Sequence, residues 1–208
     1  MMILGLILLS LVSFGQVDET KNYLYLYSDS VIYSKFITFE SPFFSEGYFI
    51  LDSNEILSKK VKFYKKENDF YASLNYNEFA LRVCKGKINL YEIVKFGVNH
   101  TKYILNFYNK NFEDLKDANY TNLKIDLADN KESLLYLNKF KKIRNIQTVL
   151  CLVGGASILG CITTLPNNSS GTGNIIALIG GGCCFWASYF ISFSKPKQLR
   201  RAIDSYNK

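Results

Sequence analysis

The side chains able to do chemistry are few and scattered. His100 is the one histidine of the chain. It has the character of a general base, but no nucleophile lies near it in sequence, so a surface or strand histidine is the plainer reading. Glu113, Asp114 and Asp117 gather three carboxylates in one short stretch. Paired carboxylates can do acid–base work, yet solvated acids at the start of a short helix are the plainer reading. There are five cysteines. Cys84 stands alone in polar sequence, while Cys151, Cys161, Cys183 and Cys184 fall inside apolar stretches, where a thiol acts as a small, soft packing group. They form no disulfide framework, and a zinc site would have to draw them out of lipid. Acylation of Cys183-Cys184 near a membrane face is a weaker reading. No glycine-rich phosphate loop follows a strand, and no Gly-x-Ser-x-Gly elbow occurs. Asn-x-Ser/Thr sequons begin at Asn99, Asn119 and Asn168, as expected by chance in so Asn-rich a chain. This reading assigns no catalytic residue, no cofactor and no metal, and the protein is not expected to be an enzyme.

The elements around these residues carry more information. Of the 208 residues, 48% are hydrophobic, and they concentrate in three segments. Residues 1–15 read as a signal peptide: the apolar run is short for a span, and Ser13 and Gly15 stand at −3 and −1 before Gln16. Its first residues lack the usual Lys or Arg. Residues 146–165 and 175–193 are uncharged and reach the roughly 20 residues that cross a bilayer as a helix. The Pro166–Asn174 link is short and turn-forming, so the two helices must run antiparallel as a hairpin. Ala156 with Gly160, Ala177 with Gly181, and Gly180 with Cys184 put small residues at the spacing that lets helices approach closely in lipid.

Net charge is +7, and no nucleic-acid motif accompanies it, so nucleic acid is not an expected partner. The densest basic run is Lys59, Lys60, Lys62, Lys65 and Lys66. Strand alternation turns Val61 and Phe63 inward there and Lys60 and Lys62 outward, as a solvated strand face. Lys139, Lys141, Lys142 and Arg144 precede the first span; Lys197, Arg200 and Arg201 follow the second. These seven are the candidate contacts with a membrane surface, weak ones. Positive flanks on both sides of an uncharged loop favour a cytoplasmic domain, whereas the signal peptide exports the same domain. Signal cleavage comes earlier in synthesis, so a periplasmic domain on the bacterial inner membrane is the favoured expectation.

Residues 17–110 read as a β-rich domain. Tyr23 to Tyr27 and Ser30 to Glu40 suggest two strands about Ser28-Asp29. Gly47 to Asp52 is a third strand. Lys60 to Lys65 pairs with Phe70 to Leu74, and Phe79 to Cys84 with Lys87 to Val94, the second pair across Lys85-Gly86 with Gly86 at positive φ. Tyr103 to Tyr108 adds another. About eight short antiparallel strands suit a sandwich or a partly open barrel. Residues 111–145 form a helical connector that begins with a helical turn over Phe112 to Ala118. A helix capped by Asn130 or Asp129 should start near Lys131 and run without a break through the first span. Residues 195–208 put Leu199, Ile203 and Tyr206 on one helical face and Lys197, Arg200 and Arg201 on the other, the pattern of a basic amphipathic tail at an interface. The fold class expected is α+β.

Tyr25–Tyr33, Gly47–Asp52, Val61–Lys65, Phe79–Val83, Gly86–Tyr91, Leu115–Leu123, Asp129-Asn130, the glycine-rich hairpin and Ala202–Asn207 together resemble a family of exported membrane proteins of Bacteroidetes. The Ser-Phe-Gly-Gln site is similar to signal peptides of that phylum. One departure is Ser28-Asp29-Ser30, where an Asp-Gly turn is expected. The resemblance covers most of the chain and implies a signal peptide and a membrane hairpin, but no activity. The function expected is that of a membrane-anchored structural or protein-interaction module of the cell envelope. Its expected partners are the lipid bilayer and another envelope protein. The alternative is binding of a lipid or small apolar ligand by the β domain beside the bilayer.

Overall fold

The structure, a computed structural model, describes residues 17–42, 44–52, 54–164 and 171–208. The expected signal peptide and the middle of the interhelical loop, with the Asn168 sequon, lie outside these residues. The class is α+β, and the chain divides into two compact units, Met1–Leu81 and Arg82–Lys208.

The first unit is built of β1 (Tyr23–Leu26), β2 (Val31–Tyr33), β3 (Ile37–Glu40), β4 (Tyr48–Leu51), β5 (Asn54–Leu57), β6 (Val61–Lys66), β7 (Asp69–Asn75) and β8 (Glu78–Cys84), the last running on into the second unit. An antiparallel ladder has the order β8-β7-β6-β1-β2, and a three-stranded sheet the order β3-β4-β5. Leu24, Val61 and Tyr64 of the ladder share one buried cluster with Ile37, Phe49 and Leu51 of the small sheet. Aromatic rings fill this cluster. Tyr64 stacks on its cross-strand partner Tyr71 at 4.5 Å, and Phe49 meets Tyr64 at 4.9 Å and Phe79 at 5.3 Å. Such cross-strand pairs stabilise a sheet beyond the area they bury.

Three strand expectations need correction. Ser30 to Glu40 is two strands, because Ser34 Oγ bonds the Phe36 carbonyl at 2.7 Å and Asn22 Nδ2 bonds the Lys35 carbonyl at 2.9 Å. Side chains thus take over backbone groups that a ladder would use, and β3 joins the other sheet. The strand β5 was not foreseen; it follows a turn in which Asp52 takes φ 51°. Val61 and Phe63 are both buried, but not together. A register shift opposite Tyr25/Leu26 sends Val61 to the cluster above and Phe63 towards Tyr25 and Phe70. A bulge inverts the side-chain alternation locally. Lys60 is exposed and Lys62 half-buried. In the first turn, where an Asp-Gly pair was expected, Asp29 adopts φ 60°, and its carboxylate accepts from the Tyr25 hydroxyl at 2.9 Å.

The second unit adds β9 (Asn89–Phe96), β10 (Lys102–Asn109), β11 (Lys116–Asp117), α1 (Tyr120–Asp126), α2 (Lys131–Thr164), α3 (Gly171–Ser192) and α4 (Ser194–Asn207). β9, β10 and β11 pair antiparallel in that order. Ile88, just before β9, and Leu90 and Tyr108 of this sheet pack with Leu123 and Leu127 of the α1 region, Leu137 of α2, and Leu199, Ala202 and Ile203 of α4. The helical turn expected over Phe112 to Ala118 is instead a bend followed by β11, and α1 begins later. Asn119 caps α1, its Oδ1 accepting from Asn122 N at 2.9 Å. Asn130, not Asp129, caps α2: Oδ1 accepts from Ser133 N at 3.0 Å, and Nδ2 reaches the Ser205 carbonyl of α4 at 3.3 Å.

Asp126 ties α1 to the sheet. It accepts from the Tyr108 hydroxyl at 2.6 Å and pairs with Lys110 at 2.9 Å and Lys116 at 3.5 Å. Burial opposes its charge, but these donors outweigh burial and hold the carboxyl below its ordinary range. A depressed carboxyl stabilises the fold above its unfolded pKa, and that stability is lost as pH falls through the folded value. Asp126→Asn should therefore cost about 1–3 kcal/mol at neutral pH. In denaturant titrations the gap to the parent should close progressively below about pH 4.

Candidate functional site

The candidate site is the helical hairpin and the base from which it leaves the second unit. α2 has 34 residues and α3 has 22, about 51 Å and 33 Å at 1.5 Å per residue. As expected, α2 is one helix from Lys131 onward. Its first half carries the fully buried Leu137. From Ile146 the surface changes: Val149, Leu152, Leu159 and Ile162 of α2 and Ile175, Ile176, Leu178 and Ile179 of α3 are all exposed. Two helices are thus long and apolar enough to cross a membrane, and many of their outward side chains are exposed apolar ones. α3 begins at Gly171, four residues before the expected start, so the end of the expected loop is already helical.

The seam between the helices is made of small residues. A Cβ on Gly154 would lie 3.0 Å from the Gly181 carbonyl oxygen and 3.2 Å from Cys184 Cβ; one on Gly181 would lie 3.0 Å from the Gly154 carbonyl oxygen. Cys151 Sγ meets Ser188 Oγ at 3.2 Å, and Cys161 Sγ donates to the Asn174 carbonyl at 2.7 Å. Residues 151, 154, 158 and 161 thus face 188, 184, 181 and 174, an alternating three-four spacing typical of left-handed helix pairs. The expected pairs were partly misplaced. Gly181 and Cys184 are in the seam, but a Cβ on Gly160 or Gly180 would meet nothing within 4 Å. The helices choose faces by mutual fit, which a spacing of four cannot reveal. Gly181→Leu should cost about 1–3 kcal/mol by overpacking, while Gly180→Leu should change little. Unfolding of both in detergent micelles compares them directly.

The base of the hairpin gathers exposed aromatic residues of the kind that favour a membrane boundary. Trp186, Tyr189, Phe190 and Phe193 are exposed, with Trp186 on Phe190 at 5.9 Å and Tyr189 on Phe193 at 4.9 Å. In the antiparallel seam they lie level with the start of the apolar part of α2, where aromatic side chains favour the headgroup zone. From Ile146 to Thr164 is then about 28 Å of helix, close to the hydrocarbon thickness of ~30 Å. Cys183 is exposed near the middle of α3, three residues before Trp186. At Phe193 the chain turns from α3 into α4, and Pro196 follows in the first turn of α4. Proline has no N–H to return to Ser192, so the bend forms there.

The seven candidate membrane-contact cations divide by environment. Lys142, Arg144 and Lys197 are exposed close to the boundary. Lys141 lies over the Tyr120 ring at 4.4 Å. Lys139 and Arg201 flank the Tyr136 ring at 5.3 and 6.0 Å, and Arg200 donates to the Val83 carbonyl at 3.2 Å. The tail is helical, as its periodicity indicated, but its apolar face does not lie on a membrane. Leu199 and Ile203 are buried against α1, α2 and the sheet, and Tyr206 is half-buried there. The amphipathic pattern is that of a core helix, since protein and lipid satisfy the same apolar stripe.

The residues first considered for chemistry are dispersed. His100 is exposed, with φ 57°, in the turn between β9 and β10. Glu113 is exposed and lies 3.9 Å from Lys116, and Asp117 is in β11. Cys84 Sγ lies 3.5 Å from Asp204 Oδ1, and burial, followed by that carboxylate, pushes the thiol up. In the basic run of the first unit, Lys59 pairs with Glu46 at 2.9 Å, Lys62 stands over the Tyr27 ring at 6.0 Å, and Lys65 donates to the Glu67 carbonyl. Among the described residues no three His, Cys, Asp or Glu side chains converge on a point that would hold a metal. Sequence reasoning missed one feature of this region, a cleft of about 420 Å³ lined by Ile104, Leu105, Phe140, Lys195, Pro196 and Leu199 among others. Its one advance signal was the apolar run Tyr103-Ile-Leu105. No family model, no curated protein and no solved structure matches the chain.

Proposed function

We propose that the protein is a membrane-anchored, non-catalytic module of the bacterial cell envelope. It holds its β-rich part at a bilayer surface and presents it to another envelope protein. The observation that carries this reading is the continuity of α2. One helix runs from a core in which Leu137 is fully buried into a span whose side chains face outward. The returning helix leads into α4, which is buried in that same core. Both ends of the hairpin are therefore clamped, so force or position at the membrane passes to the sheet without a flexible linker. Export rests on residues 1–15 and on the likeness to exported Bacteroidetes proteins. It puts the β-rich part in the periplasm, on the inner membrane.

The test is fractionation of the native chain. It should stay in the membrane pellet through an alkaline carbonate wash and leave it with detergent; recovery in the carbonate supernatant overturns the reading. N-terminal sequencing should begin at Gln16, and a reporter fused after Lys208 should be active in the periplasm. Crosslinking in intact cells should capture a discrete envelope partner that is lost when residues 146–193 are deleted. His100→Ala and Glu113→Gln should leave that capture unchanged.

A second reading, binding of a lipid or other small apolar ligand, is favoured by one observation. The cleft at Ile104, Leu105, Phe140 and Leu199 lies beside the α3–α4 bend and has Lys195 on its rim. Lipid retained through purification, and displaced by Leu105→Trp, would support it.

A further inference from the structure

We infer that the β9–β10 hairpin is a second membrane-contacting element, its tip seated in the headgroup zone of the same bilayer face that the helical hairpin enters. This rests on the membrane reading above and deepens it.

The first observation is the change in burial along one ladder. Pairing of β9 with β10 is unbroken from Asn89↔Asn109 to Phe96↔Lys102. At the near end Leu90, Tyr91 and Tyr108 are buried, whereas at the far end Val94, Phe96, Tyr103, Ile104 and Leu105 are exposed. The ribbon leaves its core and remains apolar. Val98 at the tip is 87% exposed and Phe96 69%. So many exposed apolar side chains at one end of a ladder form the kind of patch that marks a contact surface.

The second observation is direction. Asn207, at the end of α4, exchanges two 2.9 Å hydrogen bonds with the Ile88 backbone at the start of β9. Lys195 and Pro196, at the other end of α4, share the cleft with Ile104 and Leu105. Helix and ribbon therefore run side by side: about 18 Å of helix from Asn207 to Lys195 matches about 17 Å of strand from Ile88 to Ile93, the partner of Leu105. The ribbon continues from there for at least three more residues, about 10 Å. That extension carries it past Lys195, beyond the end of α4 where the chain arrives from α3 through the aromatic residues Tyr189 and Phe193. The tip is also shaped for presentation. Gly97 N bonds the Thr101 carbonyl at 2.8 Å, Thr101 Oγ1 bonds the Val98 carbonyl at 3.2 Å, and His100 takes φ 57°. This closes the turn and leaves Val98 pointing out. Aromatic and aliphatic side chains beside Lys95 and Lys102 make the composition that settles at an anionic headgroup layer.

The chain has one tryptophan, Trp186, which makes the test internal. The full chain is placed in nanodiscs of phosphatidylethanolamine and phosphatidylglycerol whose acyl chains are brominated near the headgroup. Native protein reports Trp186; V98W in a Trp186→Phe background reports the tip. The expected result is a blue-shifted V98W emission that bromolipid quenches to the same extent as native Trp186. V98W emission that is red and unquenched, with Trp186 quenched, overturns this inference and leaves the membrane reading standing. Blue-shifted but unquenched emission together with a dimeric chain also overturns it, since a second copy then covers the tip. Unquenched Trp186 removes the membrane reading itself. Val98 is so exposed that tryptophan there displaces nothing packed.

Discussion

Leu137→Ala should lower the unfolding free energy by about 2–5 kcal/mol, the range for deleting a fully buried leucine side chain with incomplete collapse of the cavity. Leu137 is 0% exposed. It sits where α1, the watery half of α2 and α4 meet the sheet, in one cluster with Leu123, Leu127, Leu199 and Ile203. Collapse is restrained there because α2 and α4 both continue into the helical hairpin. The measurement is chemical unfolding in micelles, followed by tyrosine fluorescence. Leu135→Ala is the control, since Leu135 is about half exposed; its loss should be under about 1 kcal/mol. Equal losses at both positions would mean that this core does not clamp the hairpin. The functional reading would then lose its physical basis even if the spans cross a membrane.

Asn207→Ala is the second change with a large expected effect, about 2–4 kcal/mol. Asn207 Oδ1 accepts from Ile88 N, and its Nδ2 donates to the Ile88 carbonyl, both at 2.9 Å. Ile88 is fully buried, so alanine at 207 strands a buried donor and a buried acceptor, each costing about 1–3 kcal/mol. Gly86 makes this arrangement possible. A Cβ there would lie 2.2 Å from Asn207 Cγ, so Gly86→Ala should expel the amide and cost a similar amount. The two changes break one interaction, and the double variant should lose little more than Asn207→Ala alone. Additive losses would show that Gly86 is needed for another reason. The expectation that Gly86 supplies a positive φ is not met: among the described glycines none has one. Glycine is there for close approach, because the residue across from it, 121 positions later in the chain, occupies the space of a side chain.

Much of the local structure was legible because its causes are local. Unbroken apolar stretches announced α2 and α3. The Lys131 start of α2 followed from the Asn130 cap, and the β6–β7 pairing from a short polar turn between alternating segments. Misreadings arose where a distant partner decided. Ser30 to Glu40 looks like one strand until Asn22 takes the Lys35 carbonyl. α1 went unseen because its signals, an Asn119 cap and the pair Leu123 and Leu127, are weak without the core they fill. Gly180 and Gly181 are indistinguishable in sequence; which of them meets the facing helix depends on its rotation.

By itself the sequence determined that two segments are long and apolar enough to cross a bilayer, since the length and apolarity of residues 146–165 and 175–193 are local properties that no folding partner need supply. It also determined that the last residues form an amphipathic helix. Only the tertiary structure decided what that helix covers, which glycines make the seam, and that the β9–β10 ribbon is apolar where it leaves its core. An apolar stripe has the same free-energy reason to meet lipid or protein, and the choice between them is made by whatever surface the rest of the fold brings within reach.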